Sequence, residues 1–502
     1  MRTLSLLLVV AAALLPACTR GQAHAPPTVN PEPVEGPTVA EPVPAVELEL
    51  ISELANRYVR ADAPGEVLAR IRINSPASVE GERPRANVGL VIDTSASMRG
   101  DAIVQARQAA LTMLDTLRDG DVLSVVAFGS TPEVLVPATV LDAEVRPGIQ
   151  ASIETMKAWG TTDLAGGLQA GIQQVGRYPQ AEQINRIVLL SDGVPNEQGQ
   201  VVGAAQQARS LAMPITTLGL GLEYHEDLLG KVAQLSGGGF HFVEEPAAVA
   251  TVFQDEVLRI DRLAARNPIL TLTPGPGVEI VDVPGMGVGR SGRSTTVGLP
   301  DLVEGASHQI IVRLSVTEHR DGATVELLDG VLDYVDARLQ TNQQGRTFVA
   351  AEATADRDAF EQGANLEVAL AATRATTAAA TLQVVSLARS GHVKAARAKL
   401  DQTVARAKAL SKDNPDTELA RLIDDLVELR PNLPGLAPPP PPKVTHRDKG
   451  KSKQDRRQPQ GMGSASSGGQ PQPQPAPVAL SDEGNRSVKA SHARAYQMLN
   501  GG

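Results

Sequence analysis

The sequence predicts an α/β protein in which a doubly wound, mostly parallel sheet is flanked by a β-sandwich-like module, a C-terminal helical region and disordered tails. Three observations predict it. Short continuous apolar runs, such as Val88-Gly89-Leu90-Val91-Ile92 and Ile187-Val188-Leu189-Leu190, read as strands buried on both faces and alternate with amphipathic segments. Segments of strict apolar and polar alternation, punctuated by Gly and Pro, lie on either side of that region. Ala and Leu at helical spacing fill residues 356–430, while Pro, Glu, Thr, Gly and Gln dominate the two ends.

Bulk composition sets the frame. A chain of 502 residues with 42% hydrophobic content suffices for two or three domains with ordinary cores. Aromatic residues make up only 2%, so Val, Leu, Ile and Ala must fill those cores, and single-strand nucleic-acid binding by base stacking lacks its raw material. The net charge of -10 mildly repels anionic polymers, and no nucleic-acid partner is expected.

Residues 1–18 have the layout of an export signal, with Arg2 ahead of an apolar run from Leu4 to Leu15. Cys18 is the only cysteine in the chain and follows Leu15-Pro16-Ala17, which resembles a bacterial lipoprotein processing site. That resemblance implies cleavage before Cys18, a lipid anchor on it and, with Thr19 rather than Asp next, an outer-membrane destination. Residues 19–45 read as a Pro-rich spacer. After the signal, no window offers the ~20 consecutive apolar residues of a membrane-spanning helix.

Residues 46–84 and 264–350 read as two parts of one split β module. Val67 to Ile73, Ile269 to Leu272, Ile310 to Val316 and Leu328 to Val335 carry the alternation. The inserted domain, 85–263, runs strand Val88–Ile92, a helix carrying Ile103, Ala106, Ala110, Met113, Leu114 and Leu117, and strand Val122–Phe128. It continues with a helix after Thr162, strand Ile187–Leu190, a helix near Ala204, strand Ile215–Leu220 and helices around Leu228 and Val252. In 356–430, Leu387 to Leu400 is similar to a tetratricopeptide-type helix-turn-helix with Gly391 at the turn. Residues 431–502 read as a disordered tail that includes a basic stretch, Lys443 to Arg457. Within it, Val488, His492, Ala495, Tyr496 and Leu499 fall at helical spacing, but an isolated helix of that length is marginal in water.

The chemistry-bearing residues sit at strand ends. Asp93-Thr94-Ser95-Ala96-Ser97 follows the first strand of the inserted domain, Gly160-Thr161-Thr162 opens a helix, and Ser191-Asp192-Gly193 ends the Ile187–Leu190 strand. In a doubly wound sheet, these three loops share one edge. Carboxylates and hydroxyls are hard oxygen donors suited to Mg²⁺, Mn²⁺ or Ca²⁺ rather than to zinc or copper. Neutral hydroxyls in direct contact would leave the ion short of negative charge and ready for an anionic ligand from outside.

The set Asp93, Ser95, Ser97, Thr162 and Asp192 resembles the metal-ion-dependent adhesion site of von Willebrand factor A domains. The resemblance implies that Ser95 and Ser97 bind the cation directly, Thr162 directly or through water, and Asp93 and Asp192 mainly through water. It also implies a protein partner presenting Asp or Glu, and in some members a shift of the last helix, here near Val249 to Arg259. The order of signal, flanking β segments, A-type domain and helical region is similar to bacterial proteins labelled calcium-activated chloride channel homologues. The expected function is divalent-metal-dependent protein binding at the bacterial cell envelope. The alternative is a scaffold lipoprotein whose helical region or tail makes the contacts while the metal site is only structural.

Other motifs point to ordinary structural roles. Arg99-Gly100-Asp101 starts a helix, and Asp163 at another helix start reads as a capping residue. No histidine occupies the Ser95 or Ser97 motifs and no Gly-x-Ser-x-Gly elbow surrounds them, so no enzyme is expected. His225-Glu226 lacks a second His in zinc-helix register, His241 lies in a strand-like Phe-His-Phe, and no P-loop is present.

Overall fold

The computed structural model describes residues 44–178, 183–194, 198–437 and 480–500. The chain first lays down β1 (Glu49–Leu54), β2 (Tyr58–Arg60) and β3 (Gly65–Asn74). In β3, every second residue, Val67, Ala69, Ile71 and Ile73, is buried, which is what the alternation in the sequence demands.

The inserted domain follows as β4 (Arg85–Asp93), α1 (Asp101–Thr116), β5 (Val122–Phe128), β6 (Pro132–Val140), α2 (Arg146–Glu154) and α3 (Leu164–Val175). It continues with β7 (Gln183–Ser191), α4 (Gln198–Ser210), β8 (Ile215–Leu220), α5 (Glu226–Ser236), β9 (Phe240–Val243) and α6 (Val249–Asp261). The sheet order is β6-β5-β4-β7-β8-β9, parallel throughout except for β6, which pairs antiparallel with β5 at the edge. Leu90, Ile92 and Val188 face a layer formed by α1, α2 and α6, whereas Val91, Val126, Ile187 and Leu189 face α3, α4 and α5. Burial on both faces explains why these strands read as unbroken apolar runs. Neither β6 nor α2 was read from the sequence; β6 is a half-exposed edge strand containing Pro132 and Pro137, which blunts its signal.

The β module resumes with β10 (Leu263–Pro274), β11 (Val278–Asp282), β12 (Val288–Ser291), β13 (Ser294–Gly298), β14 (Leu302–Val303), β15 (Ser307–Val316), β16 (Thr324–Asp336) and β17 (Asn342–Thr354). One sheet runs β1-β3-β15-β11 and the other β12-β13-β10-β16-β17-β2. Ile71 and Val312 from the first and Leu270 and Leu332 from the second share one core. Segments more than 200 residues apart in sequence therefore build one sandwich, with β15 paired along all of β3.

The helical region comprises α7 (Arg357–Gln362), α8 (Leu366–Arg389), α9 (Val393–Ser411), α10 (Thr417–Leu436) and α11 (Asp482–Asn500). Gly391, at φ +80°, makes the turn between α8 and α9. By length and composition alone, α8 would pass for a membrane span, contrary to the expectation of no such window after the signal; Ala378, Val384, Val385 and Ala388 on it are packed inside the protein.

The expected disordered tail needs correction at both of its ends, while 438–479 and the proposed lipid anchor Cys18 lie outside the described residues. Helix α10 runs past Pro431 and Pro434 to Leu436, held by burial of Leu429, Leu433 and Leu436. Residues 482–500 form α11, and Val488, His492, Ala495, Tyr496 and Leu499 are its buried face. Packing supplies what an isolated helix of this length lacks: α11 lies against α5, α8 and α10, and Tyr496 Oη donates to Gly238 O at 2.9 Å.

Candidate metal site at the sheet edge

The carboxyl ends of β4, β5 and β7 define the site. Immediately after β4 the backbone turns through Thr94 and Ser95 into a short 3-10 turn, Ala96–Met98, before α1 begins. Three backbone hydrogen bonds hold this loop. Thr94 N–H donates to Phe128 O at the end of β5 (2.8 Å), Thr94 O accepts from Trp159 N–H (2.6 Å), and Ala96 N–H donates to Gly160 O (3.1 Å). The first and second loops are thus one clamped unit. Asp163 caps α3 by accepting from Gly166 N–H at 3.0 Å, so it serves the helix rather than the site, and Asp101 occupies the first turn of α1.

The five residues singled out in the sequence converge. Ser97 Oγ donates to Asp192 Oδ1 at 2.8 Å across 95 residues, and Ser95 Oγ lies 2.9 Å from Ser97 Oγ. Asp93 accepts from Ser95 N–H at 2.8 Å on one oxygen and from Ser191 Oγ at 2.7 Å on the other. Thr162 reaches the same place: a Cβ added at Gly193 would sit 2.9 Å from Thr162 Oγ1 and 3.6 Å from Asp93 Oδ2. Glycine at 193 keeps that space open.

Sequence reasoning missed the part played by Ser191. Its hydroxyl holds Asp93 and also accepts from Gly193 N–H at 3.3 Å, joining the first loop to the third. Its place at the start of Ser-Asp-Gly was the available signal.

The electrostatics of the site are set by two buried carboxylates. Asp93 is fully buried and Asp192 nearly so. Burial raises the Asp93 carboxyl above its ordinary range, against the hydrogen bonds from Ser95 and Ser191 that pull it down. Burial, with repulsion from Asp93 added, pushes the Asp192 carboxyl up to about 6. Among the described residues, neither carboxylate is paired with Arg or Lys, and no group of three or more His, Cys, Asp or Glu is arranged to hold a metal ion. Two buried carboxylates, three hydroxyls and no counter-charge are a donor set that suits a hard divalent cation.

Residues 88–194, which contain all five side chains, match the family model of the von Willebrand factor type A domain. This region is a von Willebrand factor type A domain. Over 78% of this chain and 91% of the other, the fold resembles that of the von Willebrand factor type A protein from Catenulispora acidiphila, at a TM-score of 0.64 and 18% identity. An ArnB paralog from Sulfolobus acidocaldarius aligns at a TM-score of 0.53 and 18% identity, covering 77% of this chain and 94% of its own. At these identities the likeness is one of fold. In sequence, the chain is 29% identical over 244 residues to an uncharacterized protein of Synechocystis and 26% identical over 212 residues to YfbK of Escherichia coli. The alignments take in 47% and 40% of this chain, and span 56% and 36% of those relatives' lengths. Domains of the A type generally mediate metal-dependent protein–protein interactions.

Proposed function

We propose that this chain binds a partner protein through a divalent cation held by Ser95, Ser97 and Thr162 and backed by Asp93 and Asp192, with an Asp or Glu of the partner completing the coordination. One observation carries the reading. The Ser97–Asp192 hydrogen bond of 2.8 Å brings loops from different strands to a single point where, among the described residues, neither Asp93 nor Asp192 is paired with Arg or Lys. When bound, a divalent ion would supply a centre for an anionic ligand; held by the neutral hydroxyls of Ser95, Ser97 and Thr162, it would stay under-neutralised. Mg²⁺ is the ion we favour, with Mn²⁺ or Ca²⁺ as substitutes.

Binding rather than catalysis is the role we assign, since neither Ser95 nor Ser97 has a histidine as hydrogen-bond partner. The lipobox-like Leu15-Pro16-Ala17-Cys18 supports an envelope protein anchored through Cys18 and placed in the outer membrane. The likeness in domain order to chloride channel homologues adds no pore to this reading. The scaffold alternative, with contacts made by the helical region or tail, is weakened because the apolar face of α11 is already spent on its own chain.

The test is calorimetry of Mg²⁺ and Mn²⁺ on the full chain and on Asp93→Ala, followed by capture of crosslinked partners with and without chelator. Cation binding that Asp93→Ala abolishes, with chelator-sensitive capture, is the expected result. A wild-type chain that takes up neither ion, or capture indifferent to chelator, would overturn the proposal.

A further inference from the structure

Trp159 is the sole tryptophan of the chain, yet it stands 42% exposed beside the metal loops while most of the other large apolar side chains of this domain are inside. It is not loosely held. Its N–H is bonded to Thr94 O in the first loop and its neighbour Gly160 accepts from Ala96 N–H, so both ends of the residue are tied to the loop that carries Ser95 and Ser97. The indole lies against Gly129, where an added Cβ would come within 3.3 Å of the ring and 2.5 Å of the Trp159 carbonyl oxygen. Only glycine at 129 permits this close approach. With its backbone held by the bonds that hold the metal loop and its ring packed on Gly129, this half-exposed indole is a preformed contact, and interface energy concentrates on such aromatic anchors. Val194, two residues beyond Asp192, adds a second exposed apolar side chain at 53%, and exposed Arg99, two residues beyond Ser97, adds positive charge next to the first loop.

Resting on the metal-dependent binding proposed above, we infer that Trp159 sets partner specificity: the partner is a protein segment in which the metal-completing Asp or Glu has an aliphatic or aromatic side chain close by. Trp159 is three residues from Thr162, and three residues of extended chain span about 10 Å at most. The apolar residue of the partner therefore falls within about three positions of the acidic one. Arg99 favours an acidic segment and disfavours a basic one.

A displayed library of random peptides with a fixed central Asp, selected in Mn²⁺ on the full chain, on Trp159→Phe and on Trp159→Ala, tests this. Mn²⁺ affinity is measured by calorimetry for each protein. Enrichment of apolar residues within three positions of the Asp on the wild type, weakened on Trp159→Phe and absent on Trp159→Ala at unchanged Mn²⁺ affinity, is the expected result. A selected peptide should also shift the emission of this lone tryptophan to the blue. Peptides with random flanks, or the same enrichment on Trp159→Ala, overturn the specificity role and leave metal-dependent binding standing. Loss of Mn²⁺ affinity in Trp159→Ala makes the residue a support of the loop instead, and a Mn²⁺-induced blue shift with self-association and no peptide assigns the contact to a second copy. Selection indifferent to chelator overturns the metal-dependent reading itself.

Discussion

Lys489 Nζ lies 2.8 Å from Glu226 Oε2, joining the last helix of the chain to the first turn of α5 across 263 residues. Both side chains are buried, with Glu226 also gripped by Arg389 of α8 at 2.9 Å and Lys489 donating to Tyr224 O at 2.6 Å above the Tyr224 ring. One carboxylate thus fastens the A-type domain to both α8 and α11. Removing a single partner from a buried pair strands the other charge, at a cost of about 3–5 kcal/mol. Because Arg389 remains, Lys489→Met should lie near the lower end, about 3 kcal/mol, read from urea unfolding. A Lys489→Met, Glu226→Gln double variant should be less than additive.

Acid should loosen the same junction. Burial alone would raise the Glu226 carboxyl, but Lys489 and Arg389 overcome it and hold it down at about 2. Glu256, buried and hydrogen-bonded by Thr216 at 2.6 Å, is likewise held at about 2 with help from His241 and Arg186. Depressed carboxylates stabilise the fold fully above the ordinary value of 4.5 and lose that contribution as pH falls toward 2. Circular dichroism melts should therefore drop steeply between pH 4.5 and 2, and Glu226→Gln should flatten part of that slope.

What could be read in the sequence divides along physical lines. Buried strands such as β4 and β7, and helices with regular apolar spacing such as α1, carry their own signal, and so do the strand-end oxygens of Asp93, Ser95, Ser97 and Asp192. Helix α11 does not. Its mean character is polar, and its stability comes from Lys489, His492 and Tyr496 meeting Glu226 and Phe240, contacts that no local pattern encodes. Ser191 was obscured for a similar reason: its importance lies in a 2.7 Å bond to Asp93, 98 residues away.

Asp192 gives a pH signature of opposite sign. Its carboxyl is raised from 3.8 to about 6, so without a cation the fold favours the protonated form and loses stability as pH rises through that window. A bound cation reverses the penalty by mass action. Scanning calorimetry should show a larger Mg²⁺-induced rise in Tm at pH 7.5 than at pH 5. Asp192→Asn should stabilise the metal-free protein at pH 7.5 and abolish that rise.

Ser191→Ala removes the donor that fixes one oxygen of Asp93 and the acceptor for Gly193 N–H. It touches no residue expected to contact the ion directly except through these two loops. Loss of such a supporting hydrogen bond typically weakens metal affinity about 10–100-fold. Mn²⁺ titration of Ser191→Ala should show a loss of that order while the far-ultraviolet spectrum stays unchanged.

Gly193→Ala tests the convergence by crowding alone. The new methyl would lie 2.9 Å from Thr162 Oγ1, too near for an ordinary contact, so either the threonine hydroxyl or the Asp192-Gly193 loop must move. The backbone at 193 is not in the left-handed region, so alanine itself is not strained there. Charge and hydrogen-bonding groups are all retained, which separates geometry from electrostatics. Displacement of a ligand in a site that needs close positioning should cost about tenfold or more in Mn²⁺ affinity, measured by calorimetry, with little change in Tm of the metal-free chain. Unaltered Mn²⁺ affinity would mean that the spacing between Thr162 Oγ1 and the Asp192-Gly193 loop does not matter to the ion, and Thr162→Ala then tells whether the hydroxyl itself does.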